Sequence, residues 1–101
     1  MEVKCPVAGM IEFIAKKWTL LILRHLQLNK KMRFNELLRK LDGISSRTLA
    51  KRLYELEKKG MIKKKIYTEI PPRVEYSLTE KGKDFTKTLT VISSWCDRWE
   101  K

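Results

Sequence analysis

Histidine is nearly absent from this chain, and cysteine, proline and acidic residues are scarce. One histidine and two cysteines, Cys5 and Cys96, occur in 101 residues. With no closely spaced cysteine pair, neither a structural zinc site nor any other resident metal or cofactor is expected. So few thiols also argue against a disulfide-stapled scaffold. Long apolar runs are missing too. The longest covers residues 20–23 and is closed by Arg24, against the ~20 residues a membrane-spanning helix needs. The N-terminus lacks a basic-then-apolar signal pattern with a small-residue cleavage site, so no membrane partner and a cytoplasmic location are expected. No phosphate loop, nucleophile–base pairing or carboxylate pair stands out, and an enzyme is not expected. Repeats, linkers and low-complexity tracts are absent, so residues 1–101 read as one domain, of a size that buries a limited share of its surface.

Basic residues are abundant. The chain carries 23 Lys and Arg against 12 Asp and Glu, a net charge of +11, and the excess is uneven. Residues 1–44 hold nine basic against four acidic residues, residues 45–73 nine against three, and residues 74–101 five against five. A field peaking in the middle of the chain attracts polyanions, nucleic acid above all. A solvated lysine-rich surface is the plainer reading of the same charge, so its position has to decide.

The pattern predicts a mainly α fold with a small β-hairpin. Val7, Met10, Ile11 and Ile14 form a helical stripe after Pro6. A second helix over residues 17–28 is apolar on most faces and should be the buried centre, with His25 a satisfied core residue. Residues 32–34 could form a short strand. Phe34, Leu37, Leu38 and Leu41 give a third helix, stopped at Asp42-Gly43, where glycine supplies a left-handed exit. Ser45 suits an N-cap, with Ile44 and Leu49 placed as a hydrophobic staple. Leu49, Leu53 and Leu56 line the inner face of a helix over 45–59, ended by Gly60. Helix, tight turn and helix over 34–59 match a helix-turn-helix. Residues 61–78 then alternate as a hairpin wing, with Pro71-Pro72 confined to its tip. Thr79 caps a last helix to residue 101, striped by Phe85, Leu89, Ile92, Cys96 and Trp99 and widened by Val91 and Trp95.

On a helical wheel with Leu49 at zero, Lys51, Lys58, Arg47 and Tyr54 fall at roughly 140–200°, opposite the buried leucines. Cations and hydroxyls there suit guanine edges, phosphates and thymine methyls. The expected DNA contacts are Ser45, Ser46, Arg47, Thr48, Lys51, Arg52 and Lys58 on the helix, with Lys63, Lys65 and Arg73 on the wing. Arg73, beside the proline tip, is the favoured wing contact; Lys63, Lys64 and Lys65 are equally readable as charges blunting a strand edge. The neutral last helix carries more apolar surface than so small a domain can bury, which favours a partner helix over internal packing.

A family resemblance becomes specific at this point. Cys5-Pro6, Lys17-Trp18, the run at 20–23, Arg33-Phe34, Glu36-Leu37, Gly43-Ile44-Ser45, Leu49, Leu53, Glu55-Leu56-Glu57 and Gly60 occur in the order of the HxlR family of prokaryotic transcriptional regulators. The run Pro71-Pro72-Arg73-Val74-Glu75-Tyr76-Ser77-Leu78-Thr79 is its most specific part. The resemblance implies a winged helix-turn-helix homodimer that binds a pseudo-palindromic operator in double-stranded DNA, as repressor or activator. It implies pairing through the first and last helices, hence through Val7, Met10, Phe85, Leu89, Ile92, Trp95, Cys96 and Trp99. Some members of that family sense oxidants or electrophiles through a thiol just before the first helix. Cys5, beside Lys4 and near a helix start, is therefore a candidate redox sensor, although a structural cysteine is the favoured reading. No small-molecule effector can be named. A winged helix reused for RNA or protein binding and, more remotely, a thiol redox enzyme are the competing functions.

Overall fold

The computed structural model describes residues 6–100; Cys5 lies outside them. Five helices and three strands follow in the order α1 (Pro6–Ile14), α2 (Thr19–Asn29), β1 (Lys31–Arg33), α3 (Phe34–Lys40), α4 (Ser46–Lys58), β2 (Ile62–Tyr67), β3 (Arg73–Leu78) and α5 (Glu80–Trp99). Backbone conformation sets several of these boundaries. Trp18 at φ 84° delays the start of α2, and Lys30 at φ 66° ends it. Gly43 and Gly60, at φ 93° and 78°, turn the chain after α3 and α4, where a side chain would strain the backbone. Ser45 caps α4 as expected: its Oγ accepts the Thr48 N–H at 3.1 Å. Thr79 does the same for α5, accepting the Gly82 N–H at 3.1 Å.

The sheet has one strand more than the expected hairpin. The order is β1-β3-β2, antiparallel throughout. The strand expected at 32–34 lies at 31–33, because Phe34 already opens α3. Met32 faces inward between exposed Lys31 and Arg33. Registers of Met32 with Tyr76 and of Ile62 with Leu78 place these four on the core side. The other side carries Lys31, Arg33, Lys63, Lys65, Tyr67, Arg73, Glu75 and Ser77, since successive side chains of a strand alternate between faces.

The core joins every layer except much of α1. Ile22, Leu23 and Leu26 of α2 meet Leu37 and Leu41, the α4 leucines Leu49, Leu53 and Leu56, and Met61, Ile62 and Leu78 of the wing. Burial of each such side chain contributes about 1.5–3 kcal/mol. The α2 helix is less central than its composition suggests, since Leu21 and Leu28 are exposed and His25 is half-buried rather than a core residue. In α1 the expected stripe is rotated: Met10 and Phe13 pack on the core, while Val7 and Ile11 face solvent.

Candidate nucleic-acid interface

The turn between α3 and α4 fixes how α4 is presented. Ile44 packs against the core and Leu49 is fully buried, so the staple holds the start of α4 and turns its opposite face outward. That face consists of Ser46, Arg47, Lys51, Tyr54 and Lys58, all exposed. The Lys58 ammonium lies 5.7 Å from the Tyr54 ring centroid. Arg47 and Lys51 make no ion pair among the described residues, which leaves both cations available to an anionic partner.

Three expected contacts on α4 and its cap are occupied internally. Ser45 Oγ is taken up by capping and also donates to Thr48 Oγ1 at 3.0 Å, so this hydroxyl pair organises the helix start and leaves Thr48 half-buried. Arg52 turns inward: Nε donates to Lys17 O at 3.2 Å and Nη1 to Glu55 Oε1 at 3.0 Å. Lys16 Nζ reaches the other Glu55 oxygen at 3.0 Å. Burial alone pushes the Glu55 carboxyl up, but the Lys16 hydrogen bond and the charges of Arg52 and Lys16 outweigh it and hold it below its ordinary value. Arg52 therefore ties α4 to the segment between α1 and α2 and is not free to read bases.

On the wing, Lys63, Lys65 and Arg73 share the outer side of the sheet. Lys63 and Lys65 are exposed, and the Lys65 ammonium sits 5.0 Å from the Tyr67 ring. Arg73 is more enclosed. Its guanidinium stacks 4.0 Å from the same ring, and its Nε lies 3.5 Å from Glu69 and 3.7 Å from Glu75, hydrogen-bonded to neither. Lys64 points to the other side, 4.0 Å from Glu57 of α4. The third strand adds Lys31 and Arg33 to the outer side, which makes it more basic than the hairpin alone. Sequence reasoning missed both, although the alternation Lys-Met-Arg was the available signal.

The apolar stripe of α5 divides in two. Phe85 packs on the core and Leu89 is buried, so these two expected interface residues are occupied within their own chain, as is Met10. Beyond Leu89 the helix leaves the core: Ile92 is 53% exposed, Trp95 49% and Trp99 69%, with Cys96 half-buried. Among the described residues no helix is long and apolar enough to cross a membrane.

Comparison with known proteins matches these features. The family model of HxlR-like helix-turn-helix proteins matches residues 13–101. A relative named as a regulatory protein MalR, from Fusobacterium mortiferum, is 41% identical over 92 residues, covering 91% of this chain and 87% of its own length. A solved structure of a MarR-family transcriptional regulator from Porphyromonas gingivalis W83 superposes with a TM-score of 0.83 at 42% identity, covering 94% of this chain and 92% of that one. The oxidised form of the redox regulator HypR superposes with a TM-score of 0.83 at 35% identity, covering 93% and 96%.

Proposed function

Since the chain belongs to the HxlR-like helix-turn-helix family of DNA-binding transcriptional regulators, and is not an enzyme, we propose that it acts as a homodimer on a two-fold-symmetric operator, with α4 in the major groove. The observation that carries this reading is the outward face of α4, where Arg47 and Lys51, without an ion pair among the described residues, stand beside Ser46 and Lys58. Helix N-termini enter the groove first, so Ser46 and Arg47 specify sequence while Lys51 and Lys58 reach bases or phosphates. The wing contributes Arg73, Lys63 and Lys65 to neighbouring phosphates or the minor groove. Ser45, Thr48 and Arg52 support the helix from behind.

The second copy covers the apolar end of α5. Ile92, Trp95 and Trp99, with Val7 and Ile11 of α1, are large apolar side chains that the chain leaves uncovered, and a two-fold pairing places such a surface against itself. The protein works as a single domain in the cytoplasm. Redox control through Cys5 is the sharper extension of this reading. Diamide then changes operator affinity in the wild type and not in Cys5→Ser; an unchanged affinity in the wild type refutes it.

Selection of bound duplexes from a random DNA pool tests the function itself. The expected result is an inverted repeat whose half-sites lie about one helical turn, or a multiple of it, apart. Enrichment of a single asymmetric site contradicts the dimer, and enrichment of nothing contradicts sequence-specific reading.

A further inference from the structure

The strand β1 is only three residues long and passes directly into α3 at Phe34. It therefore covers β3 only at Glu75–Ser77 and, among the described residues, leaves the edge at Arg73 and Val74 without a strand partner on that side. The result is a notch of about 620 Å³ between the start of α3 and the tip end of the wing, within the ~300–1,000 Å³ typical of small-molecule sites. Arg33, Arg39 and Arg73 line it, and Phe34, Pro72 and Val74 supply an apolar wall.

Charge in the notch is only partly balanced. Glu36 is the one carboxylate of the lining, and its Oε1 already accepts the Arg33 N–H at 2.8 Å. Arg33 and Arg39 have no ion-pair partner among the described residues. The Arg73 Nε is screened from solvent and hydrogen-bonded to nothing among the described residues, the Glu69 and Glu75 carboxylates behind it lying 3.5 and 3.7 Å away. Guanidinium groups bind carboxylate and phosphate oxygens through paired N–H donors. A single inorganic ion would leave the apolar wall bare.

We propose that this notch binds a small organic acid, a carboxylate or phosphate monoester with an aromatic or branched apolar body. Its oxyanion lies among Arg33, Arg39 and Arg73, and its body lies on Phe34, Pro72 and Val74. Because the walls come from both the helix-turn-helix and the wing, and Arg73 belongs to both roles, the bound acid withdraws Arg73 from DNA and lowers operator affinity. This last consequence, unlike the site itself, rests on the DNA-reading function proposed above.

Phenyl phosphate is a suitable probe for the full-length protein, with inorganic phosphate as control, followed by ¹H–¹⁵N NMR. Expected are saturable shifts confined to the amides of Phe34, Asn35 and Val74 and to the arginine Nε–H groups. Phenyl phosphate should bind at least tenfold tighter than inorganic phosphate, and Arg39→Gln should weaken it at least tenfold with the remaining spectrum intact. Operator binding forms the second arm, in which saturating phenyl phosphate should lower affinity at least fivefold in the wild type and not in Arg39→Gln. Absence of saturable shifts at the notch, or equal shifts scattered over the lysines, overturns the site whatever the DNA result. If no shifts occur but Arg39→Gln weakens operator binding and reduces its salt dependence, the oxyanion is a DNA backbone phosphate, which overturns the small-acid assignment. Saturable binding with unchanged operator affinity overturns the regulatory role alone.

Discussion

Arg47 and Arg52 are carried by one helix and do different work. The wheel from Leu49 identifies the outward direction, so the exposure of Arg47, Lys51 and Lys58 was legible in the sequence. The inward turn of Arg52 was not, because Lys17 O, which accepts its Nε, lies 35 positions earlier, and Lys16, which shares the Glu55 carboxylate with it, comes from the same distant segment. A pH prediction follows from that cluster. The folded protein holds the Glu55 carboxyl below its ordinary value, so the ionised form contributes stability above the unfolded glutamate pKa. That contribution is lost as pH falls through the lower folded value. Glu55→Gln should cost about 1 kcal/mol at neutral pH, as expected for partly exposed pairs. It should also flatten the acid limb of stability, measured by denaturant unfolding between neutral pH and the acid transition. A variant with an unchanged acid limb would show that the pairs contribute nothing. Arg73→Ala should weaken all duplexes by similar factors and reduce the slope of log affinity against log salt by ~1, as measured by fluorescence anisotropy over a salt series.

Secondary-structure elements were legible wherever a large apolar residue marked the period. The α3–α4 turn, the Ser45 and Thr79 caps and the wing strands lie where the pattern places them, within a residue or two. What the pattern missed is small. In α5 the buried line runs through Gly82 and Thr86 to Leu89, and no count of apolar residues weights a glycine or a threonine. A Cβ on Gly82 would overlap the carbonyl oxygen of Met61, which itself accepts the Thr79 N–H at 3.1 Å. Gly82→Ala should therefore destabilise the fold by at least about 1–3 kcal/mol, the usual cost of overpacking, read from the denaturation midpoint. A neutral result would mean that α5 can move away from the sheet at no cost. The pairing of β1 with β3 was also illegible, since three residues carry too little alternation to name a partner more than forty positions away.

The molecule is extended for its length. Its radius of gyration is 14.9 Å, against about 13 Å for a compact chain of this size. The end of α5, a helix of 20 residues, extends past the core that holds its first half. Composition foretold both the surplus of positive charge and the neutral last quarter; it could not tell which aromatic and aliphatic side chains of α5 remain uncovered. Trp95→Glu together with Trp99→Glu should yield a monomer by sedimentation with unchanged helix content, and should lower operator affinity more than tenfold because two half-sites no longer bind as a unit. A dimer that survives both changes would place the interface elsewhere. The claim on which the rest depends is that the outward face of α4 reads base edges, and affinity for every single-base change of one half-site, compared between the wild type and Arg47→Ala, tests it most directly. The account predicts that the wild type loses ~1–3 kcal/mol at a guanine contacted by Arg47 and that the variant no longer distinguishes bases at that position while keeping its preferences elsewhere. An identical preference profile, merely shifted to weaker binding, would contradict it.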